Sequence, residues 1–222
     1  MSKAGSRKEL LDIVKGVKSY IELERNGGVD SIMVAAPAGK AGLSDIKSEV
    51  FRCKACPLYR TKTNYVFSDG SDNARLMFVG EAPGADEDAQ GVPFVGRAGQ
   101  LLTKMIEAMG LRRQEVYICN VLKCRPPENR SPLPEEVKAC KGYLMRQIEL
   151  VSPKVICCLG KHAAQALLDM DVPITKVRGK EMEFNGRIMI PTYHPAYLLR
   201  NPPAKKEVWE DLKKIMKILS ED

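Results

Sequence analysis

The sequence predicts an α/β protein, a mostly parallel sheet covered by helices on both faces. Two observations carry this. Beyond residue 74, short apolar runs alternate with longer amphipathic stretches in the order strand, helix, strand, helix, which builds parallel sheets. The longer stretches also carry helix punctuation, with Pro134 at a favoured first-turn position and Gly110 just past a helical run.

Taken in order, residues 7–25 place Leu10, Leu11, Val14, Val17 and Ile21 at helical spacing, and Asn26-Gly27-Gly28 ends that helix. Residues 27–42 are rich in Gly, Ala and Pro and read as a flexible linker, so residues 1–42 form an appendage to a domain at 43–222. A short helix from residue 43 to 51 runs into the Cys53–Cys56 turn. Residues 74–79 read as a buried strand, 99–109 as a helix, 116–122 as a second strand and 134–150 as a long helix. Residues 155–159 give a third strand, followed by a helix at 161–168. Runs 182–184 and 187–191 flank Asn185-Gly186, a strong hairpin signal, and 207–219 is a terminal amphipathic helix with the only tryptophan, Trp209.

At 222 residues the chain can build one full core. No apolar run approaches the roughly 20 residues needed to span a bilayer, so no membrane partner is expected. The charged N-terminus lacks a long apolar stretch and reads as no targeting segment, which predicts a soluble, cytoplasmic protein. A net charge of +7 favours a polyanionic partner, most commonly nucleic acid.

Cysteine usage is more specific. Cys53 and Cys56 form a C-x2-C pair, while Cys124 and Cys140 are scattered. Structural zinc usually takes two tight pairs, so one tight pair plus two scattered thiols suits a four-thiolate iron–sulfur cluster better. Spacing alone leaves plain burial open for these four. The other three, Cys119, Cys157 and Cys158, sit inside apolar strand runs and read as core.

The chemistry-bearing segments are loops that follow strands. They are 80–96 after the first, Asn120 with 123–130 after the second, and 191–202 near the end. A parallel sheet gathers such loops at one edge. Gly80 and Gly84 allow close backbone approach to a ligand, but their spacing is neither a dinucleotide fingerprint nor a P-loop, which disfavours NAD and ATP.

The segments GEAPGADEDAQGVPFVGRAGQLL, NVLKCRPPENR and PTYHPAYLLRNP, together with the four cysteines, resemble the family 4, iron–sulfur uracil-DNA glycosylases over about residues 43–220. The resemblance implies a three-layer α/β/α fold with a central, mostly parallel four-stranded sheet. It also implies a 4Fe-4S cluster on Cys53, Cys56, Cys124 and Cys140, and a monomer that hydrolyses the N-glycosidic bond of uracil in single- or double-stranded DNA.

By the same resemblance, His194 hydrogen-bonds uracil O2 and favours the departing anion, although a loop histidine satisfied by backbone is the plainer alternative. Glu81 positions or activates the water; related families carry an aspartate one position later, where this chain has Ala82. Gly80 and Ala82 line the base site, and Glu87 helps to exclude thymine's methyl. Asp86 and Asp88 read as a solvated acidic turn, and His162 reads as structural. Phe94 stacks on the extruded base, and Asn120 offers an acceptor to N3–H and a donor to O4. Leu198, Leu199 and Arg200 resemble a loop that wedges into the duplex, or the leucines seed a helix core. Lys123, Arg125, Arg130 and Arg200 are phosphate-contact candidates. The runner-up is a DNA-binding iron–sulfur or zinc protein without turnover, and the set Glu81, Asn120 and His194 argues against it.

Overall fold

The computed structural model describes residues 42–221, so the expected helix at 7–25 and its linker lie outside the described residues. The strands are β1 (Asp69–Gly70), β2 (Leu76–Gly80), β3 (Tyr117–Asn120), β4 (Val155–Leu159), β5 (Met182–Phe184) and β6 (Arg187–Thr192). The helices are α1 (Leu43–Val50), α2 (Ala85–Gln90), α3 (Arg97–Ala108), α4 (Pro134–Val151), α5 (Lys161–Leu168), α6 (Ile174–Val177), α7 (Pro195–Arg200) and α8 (Lys205–Ser220). They form one sheet in the order β1-β3-β2-β4-β6-β5. Its four inner strands are parallel, and β1 and β5 pair antiparallel at the edges. The expected four-stranded sheet is therefore the parallel centre of a six-stranded mixed sheet. The β5–β6 hairpin follows the Asn-Gly signal. β1 is only two residues long, too short to show a two-residue period, and is held where the Arg113 guanidinium reaches Asp69 at 2.7 Å.

Because side chains alternate across a strand, each fully buried inner strand feeds two cores. Leu76, Phe78, Ile118, Cys157 and Ile190 pack against Leu102 and Ile106 of α3 and Leu212 and Ile215 of α8. Met77, Val79, Cys119, Cys158 and Met189 pack instead against Leu144 and Ile148 of α4 and Ala163, Ala164 and Leu167 of α5. The result is the three-layer α/β/α arrangement. Cys119, Cys157 and Cys158 are fully buried in it, as the apolar runs predict. Each large aliphatic side chain so buried contributes on the order of 1.5–3 kcal/mol.

This topology fixes where a site can form. β2 leads to β3 on one side of it, and β4 leads to β6 on the other, so the connections diverge between β2 and β4. In open α/β sheets that divergence opens a crevice beyond the carboxyl ends of the strands. Gly80 and Asn120, the last residues of β2 and β3, pair there in register.

Candidate active site

A cleft of about 480 Å³ lies at this edge, lined by Glu81, Ala82, Glu87, Phe94, Asn120, Arg130, His194, Tyr197 and Arg200 among others. The three loops singled out in the sequence therefore converge. Gly80 makes the convergence possible: a Cβ there would stand 2.3 Å from Asn120 Oδ1 and 2.4 Å from the Phe94 ring.

Asn120 is 2 % exposed, and among the described residues its Oδ1 has no hydrogen-bond partner. Such an orphaned acceptor costs about 1–3 kcal/mol unless something binds it. Phe94 takes the left-handed conformation at φ 55°, which non-glycine residues rarely adopt. Its backbone is held from two sides. Arg113 donates to the Pro93 carbonyl at 2.7 Å, and Gly99 leaves room where a Cβ would sit 1.9 Å from the Phe94 carbonyl oxygen. The ring stands 5.7 Å from the His194 ring, centroid to centroid.

His194 caps α7: the Ala196 N–H donates to its Nδ1 at 3.1 Å. That bond needs the Nδ1 lone pair, so the ring proton sits on Nε2. Burial pushes the pKa down to about 4, which keeps the ring neutral. The histidine is thus a fixed neutral donor.

Glu81 and His162 meet across the crevice, with His162 Nδ1 2.7 Å from Glu81 Oε2. His162, read from the sequence as structural, is thus in direct contact with an expected site residue. It sits in the first turn after β4, and that turn faces the β2 loop at the sheet edge. Its place two residues after a strand-end glycine, Gly160, was the available signal.

Glu87 accepts from the backbone amides of Gly84, Val95 and Gly96 at 2.9 to 3.1 Å, clamping the start of α2 to the Phe94 loop. Asp88 departs from the solvated turn expected. It is buried and accepts from the Thr63 and Asn64 amides, because the chain between the cysteine turn and β1 folds over α2.

Two expected DNA contacts are corrected. Lys123 is 1 % exposed, its amine donating to the Asn120 carbonyl at 2.6 Å and to Gln147 Oε1 at 2.5 Å, so it braces β3 from within. Leu198 is 1 % exposed and packs in the α3–α8 core because the short helix α7 turns it inward, which rules out a wedge. Leu199, Arg200 and Tyr197 are exposed, and Arg200 and Tyr197 line the cleft; Tyr197 is not among the expected site residues. Arg130 lines the cleft while bonded through both terminal nitrogens to Glu136, and the Arg125 Nε donates to Asn129.

Cys53, Cys56, Cys124 and Cys140 line a single apolar cavity with Val50, Leu58, Tyr65 and Tyr143. Among the described residues no group of three or more His, Cys, Asp or Glu is drawn tightly enough to hold one metal ion. Four thiolates gathered around one apolar cavity are the donor set that a 4Fe-4S cluster takes. No helix among the described residues is long and apolar enough to cross a membrane.

Residues 67–213 match the family described as the Uracil DNA glycosylase superfamily. The Type-4 uracil-DNA glycosylase of Archaeoglobus fulgidus is 52 % identical over 181 residues, covering 78 % of this chain and 91 % of that protein. Those of Thermotoga maritima and Sulfurisphaera tokodaii are each 48 % identical over 185 residues. These alignments cover 81 % of this chain and 96 % of the Thermotoga protein, and 79 % and 84 % for the Sulfurisphaera protein. With a family match spanning residues 67–213 and relatives 48–52 % identical over about four-fifths of the chain, the chain belongs to the uracil DNA glycosylase superfamily.

Proposed function

We propose that the chain is a monofunctional uracil-DNA glycosylase, carried by a domain at 43–222 that binds uracil-containing DNA and leaves an abasic site. The observation that carries this is the orphaned Oδ1 of Asn120, facing a cleft that also holds a neutral donor, an aromatic ring and a carboxylate. Uracil presents N3–H to that acceptor. Cytosine presents a lone pair at the same atom, which leaves Asn120 unsatisfied. Sites built for a substrate N–H reject an analogue lacking it by roughly 10⁴ or more.

The base is extruded and stacks on Phe94. The bond between C1′ and N1 breaks with its electron pair going to uracil, whose O2 takes up negative charge. The Nε2–H of His194 donates to that charge. Water adds to C1′ on the sugar side, and its proton passes to the Glu81 carboxylate. Glu87, held by three amides, is a rigid wall against a C5 methyl. Leu199 and Arg200 at the mouth face the duplex, with Arg125 and Arg130 beside them. Four thiolates on a 4Fe-4S cluster supply a structural cross-link when it is bound.

The test is incubation with uracil-containing single- and double-stranded oligonucleotides, then alkali. Strand cleavage at uracil is expected, and DNA binding without abasic sites would favour a binding module instead. A Gly80→Ala variant should lose more than about 100-fold in single-turnover rate. Its methyl group displaces both Asn120 and Phe94, and overpacking of this kind costs only about 1–3 kcal/mol of stability. A melting curve beside the rate separates the two effects.

A further inference from the structure

Resting on the glycosylase reading, we propose that His162 is a positioning residue that holds one oxygen of Glu81, so that the other faces the attacking water. The two groups come from different sides of the crevice, Glu81 from the loop after β2 and His162 from the first turn of α5 after β4. Their 2.7 Å contact is therefore a tertiary contact spanning the point where the sheet connections diverge. Both side chains keep about a third of their surface open, 35 % for His162 and 31 % for Glu81. Water can therefore reach the pair.

The contact fixes the proton inventory. A carboxylate only accepts, so His162 Nδ1 carries a proton whether the ring is charged or neutral. Only one Glu81 oxygen is engaged by the ring. The carboxylate cannot spin freely, and its second oxygen is left for water. The turn itself is braced by the other catalytic loop, since a Cβ on Gly160 would stand 3.0 Å from the His194 Cβ.

Glu81 from the β2 loop, Lys161 on the same helix and His194 from the loop after β6 are the charged or titratable groups that act on His162. The hydrogen bond to Glu81 raises the His162 pKa above its ordinary value, and Lys161 opposes that. Below this raised pKa the pair is an imidazolium and a carboxylate, net neutral. Above it the ring is neutral and the pair carries one negative charge, which makes it the better partner for a cationic sugar. Turnover should therefore rise as pH climbs through the His162 pKa.

Single-turnover excision by the full chain with its cluster tests this in the wild type, His162→Ala and His162→Gln. His162→Ala should be slowed about 10- to 100-fold, the penalty of a misplaced reacting group, with uracil-DNA affinity within about 2-fold. His162→Gln keeps a donor to Glu81 and should recover much of the rate, but with a flat profile where the wild type inflects. Unchanged turnover in His162→Ala, or superimposable wild-type and His162→Gln profiles, would overturn the proposal.

The chain has two histidines, so NMR of histidine-labelled, tag-free protein reads the contact without turnover. The resonance lost in His162→Gln should titrate above pH 6.5, and at lower pH in Glu81→Gln. No response to Glu81→Gln would sink the inference even if uracil is excised. A wild type that excises nothing sinks the glycosylase reading instead.

Discussion

Replacing His194 with alanine should lower the single-turnover rate of uracil excision by about 10² to 10³ while leaving DNA binding close to wild type. The imidazole is a preorganised donor to charge that appears only as the glycosidic bond breaks, and loss of one such donor costs about 2.7–4 kcal/mol of transition-state stabilisation. The competing explanation is structural, because the Nδ1 of His194 also caps α7. A lost cap costs about 1 kcal/mol, set against a usual total stability of 5–15 kcal/mol. The fold therefore survives and the rate loss reads the chemistry. Equal rates for wild type and variant would remove His194 from the mechanism.

The pH dependence follows from the same geometry. With its pKa near 4, His194 is neutral throughout the physiological range, and the Nε2 proton is already in place. Protonation as pH falls through about 4 would put a proton on Nδ1, against the Ala196 N–H that points at it. No His194 inflection should appear near pH 6.5, and its NMR resonance should hold its neutral position down to about pH 5. An inflection that vanishes in His194→Ala would mean that the ring is more solvated than its contacts indicate.

Most of the fold and much of the site were legible because both depend on local pattern. Apolar runs between helix signals gave the central strands, and the rule that loops collect at the carboxyl edge is enough to bring Glu81, Asn120 and His194 together. What escaped was long-range. Nothing local marks β1, whose two residues are held by Arg113, 44 positions away. Nothing local says that Lys123, one residue before a cysteine in a basic loop, turns inward to Asn120 and Gln147, or that Leu198 and Leu199 part company at the surface. The contact between His162 and Glu81 escaped for the same reason, since the two lie 81 positions apart. Charge and exposure are properties of the folded surface, and composition cannot assign them residue by residue.

Cys124→Ala should give a colourless protein that melts about 4–20 °C below the wild type and excises uracil poorly. The four cysteines lie on three pieces of chain that a cluster would join: the turn after α1, the loop after β3 and the helix α4. Without a cluster these pieces are tied by weaker links, such as the exposed Arg146–Glu49 ion pair and the Tyr65 hydroxyl on the Cys53 carbonyl at 2.7 Å. Exposed pairs of that kind contribute about 0–1 kcal/mol. A covalent tie closing so long a loop contributes about 2–5 kcal/mol, and each 1 kcal/mol moves the melting point by about 2–4 °C in a chain of this size. Burial also pushes the Cys124 thiol up to about 12 and that of Cys140 up to about 11, so these groups stay protonated unless iron displaces the proton. The damage should reach the cleft through Lys123. This residue is adjacent to Cys124, and its buried ammonium donates to the Asn120 carbonyl and to Gln147, two neutral oxygens. A buried cation needs opposing charge, which four thiolates on a cluster would supply. Cys119→Ala is the control: that thiol is buried in the sheet core away from the cavity, so its loss should cost about 1 kcal/mol and leave the colour intact. Visible absorbance, iron content and a melting curve on the two variants decide the matter. A Cys124→Ala protein that keeps its iron and colour, or one that is colourless yet as stable and active as wild type, would refute the cluster assignment.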